Sequence, residues 1–236
     1  DAFITYNSFA HNFLVENYNI SVDKIFRAQN TIDTTSVLND IKRYQSMIKE
    51  TKDKFEINTD KVIMFIGGIE MRKKVENVII AAKEYSNKYD PCTVLIVGDG
   101  PDLDYYKNTY SIENYPVVYT GKRINDAVLM LLISDIVILP GEGGLAINHA
   151  FACNKPFIGT DECVSGDGSI RDYVIDGYNG FVADVDSIDD LVVKINLVYK
   201  NYKKLCKGAN QSSKLYTIPK LVDGMIEAIK FTQRGI

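Results

Sequence analysis

The sequence is poor in metal-ligating residues, with four cysteines and two histidines in 236 residues. The cysteines, at positions 92, 153, 163 and 206, form no Cys-x-x-Cys pair, a spacing common in zinc sites and redox motifs. His11 and His149 are the only imidazoles. We therefore expect no bound metal and a reduced interior.

Long apolar runs are also missing. The longest, such as residues 128–132 and 136–139, are far shorter than the roughly 20 residues that cross a bilayer. No signal-peptide pattern opens the chain. We expect a cytoplasmic protein, either free or at the inner face of the membrane.

Basic charge is not in excess. The 27 Lys and Arg residues are outnumbered by 31 Asp and Glu residues, which gives a formal net charge of -4. The two signs are interspersed, so no strongly basic face is predicted. We expect no nucleic-acid partner.

From residue 61 onward the sequence alternates short β-branched runs with helical patterns. This alternation is typical of βαβ units, and continuous apolar runs are typical of strands covered on both faces. The predicted fold class is α/β, a Rossmann-like parallel sheet flanked by helices. Strands are predicted at 62–66, 94–97, 117–119, 136–139, 156–158 and 181–183, and helices at 75–88, 102–110, 125–133, 145–153, 189–202 and 218–231.

The first 60 residues follow a different pattern. They predict a strand at 2–6, a helix at 9–16, a strand at 24–28 and an amphipathic helix over 37–48. The charged residues 49–60 are expected to form a loop or a frayed helix end. Because Asp1 already lies inside what reads as a strand, we expect the chain to be a fragment of a longer protein.

Glycines follow five of the predicted strands. One glycine after a strand is ordinary turn chemistry. Since ligands of open parallel sheets bind outside the carboxyl ends of the strands, five glycine-containing loops at one edge favour a ligand site. The glycines are Gly67 and Gly68 after the first of these strands, Gly98 and Gly100 after the second, Gly121 after the third, Gly141, Gly143 and Gly144 after the fourth, and Gly159 after the fifth.

The fourth loop leads into a helix predicted to begin at Leu145. Free backbone N–H groups and the positive end of a helix dipole favour a phosphate there, although a tight turn without a ligand is the alternative. His149 lies one turn into this helix, where its ring can reach back toward the loop or serve a purely structural role. Residues 164–170 read either as a flexible ligand loop or as a structural loop.

Basic residues gather near two of these loops. Arg72, Lys73 and Lys74 lie at the start of a predicted helix, where cations oppose the helix dipole. Such a placement favours an anionic partner, with a solvated charge run as the alternative. Lys122 and Arg123, after the third strand, allow the same two interpretations.

Several segments together resemble the C-terminal, donor-binding domain of family 4 retaining glycosyltransferases with the GT-B fold. Each motif is weak alone, but their order and spacing are specific, and the resemblance covers nearly the whole chain. The segments are Ile66-Gly67-Gly68-Ile69 with Lys73-Lys74, Val97-Gly98-Asp99-Gly100-Pro101, Tyr119-Thr120-Gly121, Ala152-Cys153-Asn154-Lys155-Pro156-Phe157-Ile158 and Asp176-Gly177-Tyr178-Asn179-Gly180-Phe181.

The resemblance implies a site for a nucleotide-sugar donor. Gly67, Gly68 and Lys74 are expected at the diphosphate, Gly121 and Lys122 near the base, and residues 143–145 beneath the sugar and phosphate. It also implies that no metal or further cofactor is needed, because cations and helix N-termini stabilise the departing nucleoside diphosphate. Catalytic residues stay unassigned. The remaining donor-binding candidates are Arg72, Lys73, Gly98, Gly100, Gly141, Glu142 and His149.

The sequence departs from the family pattern at two places. Gly68 stands where the family usually has an arginine, a contact that Arg72 or Lys73 would have to supply. The family's paired glutamates fall on Gly141 and His149, with Glu142 one place away. A histidine ring nitrogen can share the ribose-binding role of the second glutamate, while the loss of the first leaves the donor sugar open.

As implied by the resemblance, residues 1–33 are the end of an N-terminal domain and the interdomain crossing, and residues 34–236 are the nucleotide-sugar-binding domain. The parent protein is expected to transfer a hexose, with retention, from a UDP- or GDP-sugar to a polysaccharide or lipid-linked acceptor bound through the N-terminal domain. Bacterial capsule or polysaccharide synthesis and peripheral membrane association would fit such an acceptor.

Three other functions are weighed against this one. A sugar-nucleotide epimerase of GT-B fold and a non-catalytic nucleotide-sugar-binding module both remain open. A dinucleotide oxidoreductase is disfavoured, because no Gly-x-Gly-x-x-Gly segment opens the first helix of the sheet domain.

Overall fold

Two parallel sheets and their flanking helices make up the computed structural model, which describes residues 1–141, 144–161 and 170–234. The strands are β1 (Phe3–Thr5), β2 (Ile25–Arg27), β3 (Lys61–Ile66), β4 (Cys92–Val97), β5 (Val117–Gly121), β6 (Ile136–Leu139), β7 (Phe157–Thr160) and β8 (Gly180–Ala183). The helices are α1 (Ser8–Tyr18), α2 (Thr34–Tyr44), α3 (Ile48–Lys54), α4 (Val75–Lys88), α5 (Leu103–Thr109), α6 (Ala127–Ile133), α7 (Ala146–Ala152), α8 (Ile188–Lys200), α9 (Tyr202–Ser213) and α10 (Ile218–Arg234).

The larger sheet has six strands in the order β5-β4-β3-β6-β7-β8, and all of its pairings are parallel. Every residue of β4 and β6 is buried, which explains why these strands are apolar without alternation. The predicted α/β sheet is confirmed. Strand order runs outward in one direction from β3 and in the other from β6, so the topological switch point lies between these two neighbours.

Helix α4 shows how the sequence builds the core. Val75, Val78, Ile79, Ala82 and Tyr85 are buried at helical spacing, and α4 packs against α8 and against the central strands. Each large aliphatic side chain buried in this way contributes roughly 1.5–3 kcal/mol. The observed bounds of α4 are those predicted from the sequence.

Two helical segments differ from the predictions. Residues 49–60 were expected to form a loop or a frayed helix end, but α3 is a regular helix through Lys54 because Thr51 is buried while Ile48 and Phe55 pack on the core. A 3-10 turn (Gln45–Met47) separates α3 from α2. Helix α9 was not predicted; its buried positions include Gly208, Ala209 and Ser212, which carry little apolar signal.

The N-terminal segment forms a small sheet of its own. Strands β1 and β2 pair in parallel, and α10 packs on both of them. Phe26 of β2 lies 5.3 Å from Phe231 of α10 between ring centroids, and a Cβ on Gly224 would lie 2.1 Å from the Arg27 carbonyl oxygen. The domain boundary after residue 33 stays a prediction. Among the described residues, no helix combines the length and apolar character that a membrane crossing requires.

Candidate functional site

An open cleft of about 520 Å³ lies at the carboxyl ends of β3, β4 and β5. Its walls are residues 66–68, 97–100 and 122–124. Pockets of about 300–1,000 Å³ suit small molecules and cofactors. The predicted site residues that the structure brings together here are Gly67, Gly68, Gly98, Gly100 and Lys122.

Backbone groups rather than side chains form much of the cleft wall. The Gly67 amide donates to the Val97 carbonyl at 3.0 Å. A Cβ on Gly98 would lie 1.9 Å from the Gly67 carbonyl oxygen, and one on Gly100 would lie 2.2 Å from that of Ile69. These two glycines are therefore required by the close approach of the loops. Gly121, at the end of β5, is favoured for a different reason. Its φ of 71° lies in the left-handed region, which glycine adopts easily, while the space around its Cβ position is open.

The fourth loop meets the first loop beside this cleft. Gly141 is buried, and a Cβ there would lie 2.4 Å from the Arg72 carbonyl oxygen. The predicted helix begins at Ala146, with Leu145 as its N-cap residue and Gly144 just before it. Glu142 and Gly143 lie outside the described residues, as do residues 162–169 of the other predicted ligand loop.

The cations near the first loop are paired with carboxylates. Arg72 Nε donates to Glu70 Oε2 at 2.7 Å, and Lys74 Nζ donates to Asp186 Oδ1 at 2.7 Å. The hydrogen bond from Arg72 lowers the pKa of Glu70, and the bond from Lys74 lowers the pKa of Asp186. Lys73 ends a 3-10 turn (Met71–Lys73) whose backbone packs on Gly141. An incoming anion would therefore compete with the protein's own carboxylates.

Arg123 is fixed at the edge of the cleft. Its Nη2 is paired with the Asp126 carboxylate, and its guanidinium carbon lies 5.6 Å from the centroid of the Phe55 ring. Among the described residues its buried Nε has no hydrogen-bond partner. The role of Phe55 was missed, because residues 49–60 were expected to form a loop or a frayed helix end. Lys122, by contrast, is exposed on the cleft wall.

The His149 ring contacts the residue that caps its own helix. Its Nδ1 lies 3.1 Å from the Leu145 carbonyl oxygen. Since a carbonyl only accepts, Nδ1 is the donor in this contact; in the neutral tautomer with its proton on Nδ1, Nε2 is an acceptor. Sequence reasoning missed its neighbour Asn148, which is 2% exposed. Its amide nitrogen donates to the Asn30 carbonyl at 3.4 Å, while Oδ1 has no partner among the described residues.

Metal ligands are not clustered in the described part of the chain. No group of three or more His, Cys, Asp or Glu side chains there is arranged to hold an ion. Of the described cysteines, Cys92 and Cys153 are buried, and burial raises the pKa of their thiols to about 11 and about 12, respectively. They are neutral core residues near neutral pH.

A loop-walled cleft beside the switch point of a Rossmann-like sheet defines a class of ligand-binding α/β proteins. Within that class, the family model of the glycosyl transferases group 1 matches residues 47–215. The chain therefore belongs to this family, which confirms the expected relationship to GT-B glycosyltransferases. Assignment to family 4 and to a C-terminal domain stays a prediction.

Curated relatives are about a quarter identical to the chain over the aligned residues. An uncharacterised glycosyltransferase of Methanocaldococcus jannaschii is 27% identical over 170 residues, which cover 69% of this chain and 46% of the relative. Alpha-D-kanosaminyltransferase of Streptomyces kanamyceticus is 26% identical over 140 residues, covering 56% of this chain and 35% of the relative. The chain thus spans less than half the length of these relatives.

Solved structures show the same fold. Anabaena HepE in complex with UDP has a TM-score of 0.75 and 17% identity, over 97% of this chain and 63% of that protein. HepE has also been solved with UDP-glucose, and that structure matches with a TM-score of 0.73. At this level of identity the likeness defines the fold alone.

Proposed function

We propose that the chain is the donor-binding half of a glycosyltransferase that moves a hexose from a UDP- or GDP-sugar. The observation that carries the proposal is the cleft at the carboxyl edge of β3, β4 and β5, walled by backbone and by Lys122. Side-chain-free walls let a diphosphate approach backbone N–H groups closely. The family match supports transfer as the reaction.

UDP is the nucleotide that the comparisons favour. Anabaena HepE, with a similar fold, was solved with UDP and with UDP-glucose. In our proposal the diphosphate lies at Gly67 and Gly68, the base lies near Gly121 and Lys122, and Nε2 of His149 accepts from a ribose hydroxyl. A GDP-sugar would use the same diphosphate contacts.

The leaving group sets the chemistry that the protein must supply. As the bond between the sugar and the diphosphate breaks, negative charge grows on the departing nucleoside diphosphate. Lys74, Arg72 and Lys73 are the cations beside the first loop, and positively charged groups placed where charge develops lower the barrier. We propose that these side chains, rather than a metal ion, stabilise the leaving group. Retention of the sugar configuration is part of the same proposal.

The acceptor would be held by another part of the parent protein. We propose that the β1–α1–β2 segment, on which α10 packs, belongs to an N-terminal domain that binds a polysaccharide or a lipid-linked acceptor. Action in the cytoplasm, at the inner face of a membrane, stays a prediction tied to that acceptor.

Calorimetry tests the donor-binding proposal. The chain is titrated with UDP, GDP, ADP and NAD without added metal, and the titration is repeated with Lys122→Ala and His149→Ala. Lys107→Ala, an exposed lysine on α5 outside the cleft, is the matched control. We expect saturable binding of UDP or GDP that Lys122→Ala and His149→Ala weaken and Lys107→Ala does not. Binding of NAD alone would contradict the proposal.

One observation favours a second candidate, a non-catalytic nucleotide-sugar-binding module. The family's first glutamate is replaced by Gly141, and a Cβ at this position would lie 2.4 Å from the Arg72 carbonyl oxygen, so a glutamate cannot fit without moving the loops. The parent protein, incubated with radiolabelled nucleotide sugars and candidate acceptors, separates the candidates. A glycoside product supports transfer, binding without turnover supports the module, and an altered free sugar or sugar nucleotide indicates an epimerase.

A further inference from the structure

A second cleft, of about 700 Å³, lies at the amino ends of the strands of the large sheet, opposite the donor cleft. It opens where β3 and β6 begin, beside the carboxyl ends of α4 and α8, and is separate from the donor cleft. We call it the tyrosine cleft. Its lining residues are Asp60, Lys61, Tyr85, Tyr89, Asp90, Asp135, Asn196, Tyr199, Lys200 and Tyr202.

Four tyrosines form a connected row of rings in this cleft. Ring centroids are 5.3 Å apart for Tyr85 and Tyr89, 5.6 Å for Tyr85 and Tyr199, and 6.4 Å for Tyr199 and Tyr202. Tyrosine combines an apolar ring face with a hydroxyl that can donate and accept. Since Tyr85 is 1% exposed, the row presents these contacts to a ligand mainly through Tyr89, which is 38% exposed.

Charges in the tyrosine cleft disfavour an ionic ligand. Lys61 Nζ lies 5.2 Å from the Tyr199 ring centroid and 5.9 Å from that of Tyr85, and it is paired with Asp90. The cation position over these rings is thus already taken by the protein's own lysine. A phosphate would meet three carboxylates, of Asp60, Asp90 and Asp135, against two ammonium groups, of Lys61 and Lys200. A neutral ligand avoids both penalties.

Hydrogen-bonding capacity is left over in the same cleft. Among the described residues, the buried hydroxyl of Tyr199 has no hydrogen-bond partner. Asp135 accepts at Oδ2 from the Val62 amide at 2.8 Å, but the contact from the Tyr202 hydroxyl to Oδ1 is a long 3.5 Å. The Tyr199 hydroxyl is too deeply buried for a ligand to reach, but Asp135 Oδ1 keeps acceptor capacity that a ligand rich in hydroxyls can use.

We propose that the tyrosine cleft binds a neutral hexose unit of a glycan. A hexose offers an apolar C–H face for the tyrosine rings and several hydroxyls that donate and accept. The carboxylate of Asp135 and the amide of Asn196 supply the matching polar groups. The volume of about 700 Å³ lies within the range for small ligands. This site is independent of the donor cleft and would hold glycan rather than nucleotide.

NMR titration of the chain with neutral tetrasaccharides tests the proposal. The probes are the tetramers of glucose with α-1,4 and β-1,4 links, of mannose, of galactose and of N-acetylglucosamine. Tyr89→Ala removes a ring that is 38% exposed on the cleft wall, and Tyr105→Ala removes one that is 51% exposed on α5, outside both clefts. We expect at least one probe to shift the amides around the cleft, with affinity at least tenfold weaker in Tyr89→Ala and unchanged in Tyr105→Ala.

Further arms separate this site from the donor cleft. Asn196→Ala removes the amide on the cleft wall and should weaken the tetrasaccharide several-fold, while UDP affinity stays unchanged in both cleft variants. The proposal is overturned if no tetrasaccharide shifts the cleft amides in a folded sample, if Tyr105→Ala weakens binding as much as Tyr89→Ala, or if spermidine or inorganic diphosphate binds there and no sugar does. Loss of UDP binding alone would count against the donor proposal and not against this one.

Discussion

Lys74 and Asp186, 112 residues apart, form an ion pair in which Nζ lies 2.7 Å from Oδ1. Both residues have left-handed backbone conformations, with φ of 52° for Lys74 and 57° for Asp186. The lysine side chain is 20% exposed and the aspartate 65%. Asp186 lies in the loop after β8. It thus pairs with the lysine that the family resemblance assigns to the donor diphosphate.

Replacing Asp186 should therefore favour the anionic ligand. In Asp186→Asn the diphosphate no longer competes with the Asp186 carboxylate for Lys74, so we expect UDP affinity to rise several-fold by calorimetry. Lys74→Ala should lower it about tenfold or more, as expected for a hydrogen bond to a charged group. Because Asp186 is exposed to solvent, the ion pair should contribute little to stability, and neither variant should unfold. Weaker UDP binding in Asp186→Asn would show instead that Asp186 positions the lysine.

Gly100→Ala should damage the donor cleft itself. The added Cβ would lie 2.2 Å from the Ile69 carbonyl oxygen, and overpacking against backbone should cost about 3 kcal/mol, the upper end of the usual range. Gly177→Ala is the control, since its φ of 70° imposes strain while nothing lies within 4 Å of its Cβ position. That strain should cost about 1–2 kcal/mol. Urea unfolding measures the stability loss of both variants. UDP affinity should fall in Gly100→Ala alone, and an equal fall in UDP affinity in Gly177→Ala would contradict this prediction.

Buried thiols should make the fold sensitive to alkaline pH. Burial raises the pKa of Cys92 from 9.0 to about 11 and that of Cys153 to about 12. The thiols of the unfolded chain ionise at lower pH than those of the folded chain. The free energy of unfolding is therefore unaffected below pH 9 and falls as pH rises toward the folded-state pKa values, by about 1.4 kcal/mol per pH unit for each thiol. Urea unfolding from pH 8 to 10 should show that the free energy of unfolding falls less steeply in the double variant Cys92→Ala, Cys153→Ala than in the unaltered chain. Identical slopes would contradict the assignment.

Tyr199→Phe should stabilise the ligand-free fold. Deleting a buried hydroxyl that has no partner among the described residues removes a desolvation cost of about 1 kcal/mol or more. Tyr44→Phe is the matched control, because the Tyr44 hydroxyl donates to the Asn125 carbonyl at 2.7 Å. Its loss should cost about 1 kcal/mol. Denaturant unfolding of the two variants should give changes of opposite sign, and equal destabilisation would show that Tyr199 has a partner after all.

The sheet could be predicted from the sequence because its strands are buried on both faces and so are continuously apolar. Residues 136–139, for example, were predicted as a strand, and β6 has those bounds. Helix α3 could not, because its seven residues carry five charges and only Ile48 and Thr51 face the protein. Helix α9 buries small residues, which give no periodic apolar signal.

The glycine loops of the candidate site were predicted, but the reasons for the glycines were only partly foreseen. Gly98 and Gly100 are required by contacts between loops, which depend on the pairing of β3 with β4. The pairing of Lys74 with Asp186 could not be predicted either, since it depends on α4 packing against α8. Sequence reasoning also missed the tyrosine cleft, whose residues come from β3, α4, α8, α9 and the turns beside them.

The central claim is that the cleft at β3, β4 and β5 binds the diphosphate of a nucleotide sugar. The most direct test labels the 16 glycines with ¹⁵N and follows their amides during titration with UDP. The account predicts saturable shifts at Gly67, Gly68, Gly98 and Gly100, and none at Gly208 or Gly224, which pack against the Tyr178 and Arg27 carbonyls away from the cleft. Shifts confined to Gly208 and Gly224, or no shifts with UDP or GDP in a folded sample, would contradict it.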